Sequence, residues 1–198
     1  GGMTPFRGEK GTTWEGGVRA PMLVKWPGKV PEGTVNNGIF SAMDWVPTLV
    51  AAAGGPSDLK SKLLKGYNGK KAHLDGFNQL PLLTGQGPSN RKEIIYYERD
   101  SLQAVRYGDW KVHFVVQNHG WSGAKERLNA PLLFNLRQDP FERTDEESGM
   151  YVEWMGQKMW AFGPAKRIVE RHLATFKDWP APTIGASPKE RRDGGVGQ

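Results

Sequence analysis

The chain has 198 residues, 37% hydrophobic and 24% charged, enough for one sizeable domain or two small ones, and no apolar run approaches a membrane span. It contains no cysteine, which excludes disulfides and thiolate metal sites within it. The net charge of +6 is spread along the chain, apart from the cluster Lys60, Lys62, Lys65, Lys70 and Lys71, and no nucleic-acid-binding motif accompanies it.

The opening Gly-Gly-Met is not the basic region and apolar core of a signal peptide. Residues 1–19 read as a glycine-rich loop, and Ala20 to Trp26 as a short strand apolar on both faces, as in a sheet covered by helices. Ser41, with Asp44 three residues on, reads as the capping box of a helix. On that helix Val46, Leu49, Val50 and Ala53 share one face, and Gly54-Gly55-Pro56 ends it. Ser57 to Lys65 reads as a second helix with its lysines in water, and Gln79 to Leu83 as a short apolar segment. Gln86 to Asn90 is linker-like.

Strand patterns then take over. Ile94 to Tyr97 is one strand. Leu102 to Arg106 and Trp110 to Val116 form a hairpin, with Val112, Phe114 and Val116 alternating with Lys111, His113 and Val115. Gln117 to Asn129 reads as a polar loop, Leu132 to Leu136 as a fourth strand, and Asp139-Pro140-Phe141-Glu142 as a turn. Tyr151 to Phe176 is helical with an interruption at Gly163-Pro164, and its second piece carries an apolar stripe of Ile168, Val169, His172, Leu173 and Phe176. The segment from Trp179 reads as a flexible tail.

Most catalytic signatures are absent. A phosphate-binding loop needs G-x-x-x-x-G-K-[ST] between a strand and a helix; here Gly2 to Gly8 is one residue too long and Glu9 stands where lysine is needed. His73, His113, His119 and His172 show no metal-ligand spacing, and each reads as structural or solvent-exposed. There is no G-x-S-x-G nucleophile elbow, and the scattered Asp and Glu define no acid/base dyad. Lys10 is the exception. Glycines close by on both sides let it approach a ligand, and its ammonium suits an anionic oxygen; an ordinary surface lysine is the competing reading.

The stretch Gly8-Glu9-Lys10-Gly11-Thr12-Thr13-Trp14-Glu15-Gly16-Gly17-Val18-Arg19-Ala20-Pro21, followed by Trp26-Pro27-Gly28, resembles the C-terminal signature of the arylsulfatase family, which has the alkaline-phosphatase-like fold. The likeness continues at Ser41 to Leu49, Leu74 to Gly85, Ala104 to Lys111, Leu133 to Glu142 and His172 to Pro180, in family order. The resemblance implies an α/β fold: the edge of a mixed sheet with helices, then a small antiparallel sheet of about four strands packed with a C-terminal helix. The implied division is 1–85 for the end of the catalytic α/β domain, 86–180 for the small sheet-plus-helix subdomain and 181–198 for the tail.

In that family a hydrated formylglycine attacks the sulfate sulfur, the alcohol leaves, and the remaining hydroxyl expels sulfate. Calcium or another divalent cation polarises the ester. Carried over, Lys10 matches the lysine that holds a sulfate oxygen, while Glu15 and Arg19 match signature positions read as bracing the loop. Formylglycine is made from the Cys or Ser of a C/S-x-P/A-x-R motif. Ser122-Gly123-Ala124-Lys125-Glu126 has Glu126 where arginine is required, and Ser187-Pro188-Lys189-Glu190-Arg191 has its proline one place early. The family's metal-binding Asp and Asn precede the signature loop.

The expectation is therefore the C-terminal portion of a sulfatase. Its partners would be a sulfate-ester substrate and the missing N-terminal part of the catalytic domain, with neither calcium nor formylglycine sited in this chain. It would be inactive alone, and periplasmic or exported like many bacterial relatives. The alternative is a non-catalytic module binding an anion or sulfated glycan through the basic surface and the Trp residues, told apart by dependence on Lys60, Lys62 and Lys65 rather than on Lys10.

Overall fold

The computed structural model describes residues 5–98 and 101–180. The expected tail at 181–198 lies outside the described residues. In chain order the elements are α1 (Glu15–Val18), α2 (Trp45–Ala52), α3 (Leu59–Lys65), α4 (Leu80–Leu83), β1 (Glu93–Glu98), β2 (Ser101–Tyr107), β3 (Trp110–Val116), β4 (Glu126–Asn135), α5 (Thr144–Glu147), α6 (Tyr151–Gln157) and α7 (Phe162–Thr175). They fall into two units, one of residues 20–94, the other joining the described residues of the opening segment, up to Arg19, to the described residues from Ile95 onward. The opening loop thus groups with the small sheet and not with the residues that follow it, where the sequence division put it.

The sheet is four-stranded in the order β1-β2-β3-β4, as the strand patterns indicate. β2 and β3 pair antiparallel across a two-residue turn, with Tyr107 opposite Trp110 and Val105 opposite Val112. β3 pairs with β4, Val112 opposite Leu133 and Lys111 opposite Phe134, with an irregularity between His113 and Val115. β4 starts at Glu126, inside the segment read as polar loop. Its first residues are polar because they are exposed, which hid the strand from a reading based on apolar alternation.

Alternation gives this sheet two covered faces. Val105, Val112 and Leu133 lie on one and pack against Ala161, Ala165 and Ile168. Each such buried Val or Leu contributes roughly 1.5–3 kcal/mol. Tyr107 donates its hydroxyl to the Ala161 carbonyl at 2.7 Å, and the Tyr151 hydroxyl accepts from the Leu133 N–H at 2.8 Å. The helical break falls at the 3-10 turn Met159–Ala161, and not at Gly163-Pro164. Pro164 sits in the first turn of α7, where its missing N–H costs no intrahelical bond. Of the expected stripe, Ile168 is buried, but Leu173 is 45% exposed.

In the other unit the capping box forms, the Ser41 N–H donating to Asp44 Oδ2 at 2.9 Å. Asp44 does more than cap. It is fully buried and takes Arg91 through Nε at 2.9 Å and the Phe77 N–H at 2.7 Å, so it ties the start of α2 to two distant segments. This changes which face of α2 turns inward. Thr48, four residues on, bonds the Asp44 carbonyl at 2.6 Å and receives the Gln79 N–H at 2.9 Å. Val46 and Leu49, expected in the apolar stripe, are instead 56% and 58% exposed.

The strand expected over residues 20–26 does not form. A strand exists only as a member of a ladder, and among the described residues none pairs with this segment. Leu23 is 98% exposed, with Met22 also in solvent. Exposed apolar residues in an extended segment favour association. The chain is expected to self-associate at micromolar concentration, and Leu23→Glu to shift it toward monomer in sedimentation velocity; an unchanged monomeric profile for both would count against this.

Candidate functional site: a braced signature loop

The second covered face of the sheet carries Arg106, Lys111, His113 and Phe134, and the opening loop lies over it. Trp14 is the loop's anchor, 1% exposed. Its indole N–H donates to the Gln117 carbonyl at 3.2 Å, its ring lies tilted against His113 with centroids 4.4 Å apart, and the Arg7 guanidinium covers it at 3.7 Å. Thr12, Thr13, Trp14 and Glu15 are all buried, while Gly8 to Gly11 are exposed. The loop therefore has a buried base and a surface tip, and Lys10 is on the tip.

The sequence sets that shape. The tip turns through positive φ at Gly8 (77°) and Gly11 (92°) on either side of Glu9-Lys10. At Gly16 a Cβ would stand 2.4 Å from the Gly8 carbonyl oxygen, so only glycine lets the one-turn helix α1 close under the loop. Its N–H donates to the Arg7 carbonyl at 2.8 Å.

Below the loop is a cluster of buried charges. Glu15 Oε1 pairs with Lys111 Nζ at 2.9 Å, and Glu142 Oε1 with the same ammonium at 3.0 Å. Glu142 Oε1 also accepts from His113 Nε2 at 2.7 Å, and its Oε2 accepts the Glu15 N–H at 2.6 Å. Arg106 and Arg19 stand 3.9 Å from Glu15 Oε2. Glu142 comes from the Asp139-to-Glu142 turn, whose geometry is held by Asp139 Oδ2 accepting from the Arg143 and Thr144 N–H groups at 2.9 and 3.0 Å. Its own backbone sits at φ 55°, an uncommon conformation for a non-glycine residue, and its carbonyl accepts from Arg7 at 2.8 Å.

Burial alone would raise the Glu142 carboxyl, but the His113 hydrogen bond, the Lys111 charge and the Glu15 N–H outweigh it and bring it to about 2. Burial pushes the His113 imidazole down to about 4, against the opposing pull of Glu142, so the ring is neutral at pH 7. With Nε2–H donating to the carboxylate, Nδ1 is the bare nitrogen, buried and without a partner among the described residues.

The structure thus joins groups that the sequence left scattered. Glu15, Lys111, His113 and Glu142 form one network although Glu15 and Glu142 are 127 positions apart. His113, read as structural or solvent-exposed, is structural and central to it. The signals available were the polar pair Lys111 and His113 on one face of a strand, and an acid closing an Asp-Pro turn. None of the four side chains is more than 3% exposed, so the network braces the loop and offers nothing to a substrate. Glu15 occupies the bracing position expected of it. Lys10 is exposed, and among the described residues it has no ion-pair partner. Ser122 lies on an exposed loop after β3.

Among the described residues no group of three or more His, Asp or Glu side chains is placed to hold a metal ion. The two buried carboxylates are already offset by Lys111, Arg106 and Arg19, so the residues present do not fit a calcium site.

The loop with its exposed cation stands on an α/β chain with a small antiparallel sheet, and comparison with known proteins gives the family. Residues 89–183 match the family model described as the C-terminal region of aryl-sulfatase, and residues 1–55 match the sulfatase model. The chain belongs to the sulfatase family. It is 38% identical to arylsulfatase A of Homo sapiens over 149 residues, which is 67% of this chain and 27% of that protein. It is 33% identical to N-acetylgalactosamine-6-sulfatase of Canis lupus familiaris over 165 residues, 72% of this chain and 29% of that one. The crystal structure of the PsFucS1 sulfatase from Pseudoalteromonas sp. superposes with a TM-score of 0.75 at 29% identity, covering 93% of this chain and 35% of that one. The chain spans less than a third of the length of these two curated relatives.

Breaking the network by Glu142→Ala leaves His113 Nε2 and the Glu15 N–H without an acceptor in the core, and Lys111 with Glu15 as its only carboxylate in the cluster. Stability in urea unfolding should fall by about 3–5 kcal/mol, with Glu142→Gln costing less. A loss below about 1 kcal/mol, the range of a surface pair, would show that the pair is not desolvated.

The network also sets a pH response. Both folded-state values are depressed, so the unfolded chain takes up protons first as pH falls, and both contributions are present at neutral pH and lost toward acid. The His113 part fades from its ordinary 6.5 down to about 4, and the Glu142 part from 4.5 down to about 2. The thermal midpoint should therefore start falling below about pH 6.5, the His113 share amounting to on the order of 3 kcal/mol. His113→Gln should remove the upper part of that fall and leave the lower.

Proposed function

We propose that this chain supplies one wall of the sulfate pocket of a sulfatase that hydrolyses sulfate esters, with Lys10 holding a sulfate oxygen. The observation that carries the reading is the contrast within the signature loop: Glu15 and Arg19 are engaged in the brace, whereas Lys10 is exposed at the tip. An ammonium on a loop tied to a rigid sheet is preorganised. It offsets negative charge on a sulfate oxygen in ground and transition state without having to be gathered from solution. Family membership supports the choice of sulfate over other anions.

The chain has no cysteine, and its two nearest serine motifs depart from C/S-x-P/A-x-R. On this reading the formylglycine nucleophile and the divalent cation come from residues other than these 198, and the chain is catalytic only together with them.

The competing module reading needs free lysines at Lys60, Lys62 and Lys65. It is weakened because Lys60 sits over the Phe77 ring at 3.9 Å and Lys62 pairs with Asp58 at 3.1 Å.

Titration of the chain with inorganic sulfate, followed by NMR chemical shifts, tests the reading. Lys10→Ala should weaken binding about tenfold or more, the value of one charge-assisted hydrogen bond. A triple Lys60→Glu, Lys62→Glu, Lys65→Glu variant should leave it within about twofold, less than any charged hydrogen bond is worth. The reverse pattern would favour the anion-binding module. The 198 residues should not turn over an aryl sulfate; turnover abolished by Lys10→Ala would refute dependence on other residues.

A further inference from the structure

Next to Lys10 is a feature that the sulfate pocket does not account for. The loop after β3, residues 117–125, comes back onto the tip of the signature loop, and both chain neighbours of Lys10 touch it. Glu9 Oε1 accepts the Trp121 N–H at 3.2 Å. At Gly11 a Cβ would stand 2.9 Å from Trp121 Cβ, so the bare glycine is what lets the tryptophan come down beside Lys10. On its other side the Trp121 carbonyl accepts from Gln117 Nε2 at 2.7 Å. Gln117 is itself 5% exposed, and the same amide group donates to the Gly123 carbonyl at 2.8 Å. The backbone of Trp121 is thus clamped from both sides, yet the residue is 70% exposed.

A large aromatic ring held in solvent on a firmly placed backbone is open to a ligand. Its place on the loop that packs against both chain neighbours of Lys10 narrows what that ligand is. We propose that Trp121 is a stacking platform for the sugar ring of a sulfated carbohydrate, the ring lying on the indole while its sulfate reaches Lys10; this rests on the reading of Lys10 as the sulfate-holding cation. A pyranose has one face of C–H groups that stacks on an aromatic surface and hydroxyls that prefer to stay in water. An open platform suits such an amphipathic ring. A purely apolar aryl group gains most from an enclosing pocket, which an indole exposed to this degree does not provide. Trp121 is then a specificity-determining residue: Lys10 recognises the ester's charge, and Trp121 recognises what the ester is attached to.

The test is a set of NMR titrations of the chain with inorganic sulfate, a 6-O-sulfated hexose, the same hexose unsulfated, and 4-nitrophenyl sulfate. The exposed ring supports no core contact, so Trp121→Ala should keep the wild-type thermal midpoint. It should weaken the sulfated hexose about tenfold, the usual size of a stacking contact, and leave inorganic sulfate unchanged. Trp121→Phe should restore most of the loss. Equal binding of the sulfated hexose by wild type and Trp121→Ala would overturn the proposal, as would a failure of the hexose to bind better than inorganic sulfate. Tighter binding of 4-nitrophenyl sulfate than of the sulfated hexose would overturn the carbohydrate assignment. If Lys10→Ala leaves inorganic sulfate binding unchanged while Trp121→Ala still weakens both hexoses, the Lys10 reading fails and the platform stands.

Discussion

The Glu142 carboxylate is the point on which the signature loop depends. One oxygen receives His113 and lies against Lys111, and the other receives the backbone N–H of Glu15. A buried carboxylate is tolerable only when each lone pair has a donor and its charge has a partner. Here the sheet supplies two of those donors and the loop supplies the third, so the loop cannot leave without stranding a charge in the core. Hydrophobic packing of Trp14 against His113 and Phe134 adds stabilisation but little direction. The charge network fixes register, because only one placement of the Glu15 N–H satisfies Glu142.

The same logic recurs in the other unit at Asp44. There a single carboxylate holds the Arg91 guanidinium, the Ser41 and Phe77 N–H groups and the Gln79 amide. Both units are therefore organised around a buried acid that gathers segments far apart in sequence. This explains why a chain with modest hydrophobic content has well-placed loops: its polar groups do the joining that a larger apolar core would otherwise do. Such networks demand complete satisfaction, and they concentrate the chain's acid sensitivity in a few residues.

For function, the consequence is a division of labour along a short stretch. Residues Thr12 to Glu15 are anchored and Lys10 is presented. The loop after β3 is drawn to the same tip by Glu9 and Gly11. The tip that carries Lys10 and the loop that carries the Trp121 ring are thereby held together by contacts that involve neither side chain's functional end.

The sequence by itself determined the antiparallel strands, the capping box at Ser41, and the signature loop with Lys10 at its tip. These are local matters: alternation, a cap whose two partners stand three positions apart, and glycines at backbone positions that other residues avoid. It misplaced the helical break by a few residues because Gly163-Pro164 is as compatible with a helix start as with a kink. It also put Val46 and Leu49 inside, because helical periodicity counts apolar residues and cannot see that Asp44 and Thr48 turn the opposite face inward. Only the tertiary structure decided the rest. The pairing of Glu15 with Glu142 and Lys111, and the meeting of Trp121 with Gly11, join residues about a hundred or more positions apart. No local pattern encodes such a contact. It follows from which groups are left needing a partner once the sheet has closed, and that is settled in three dimensions.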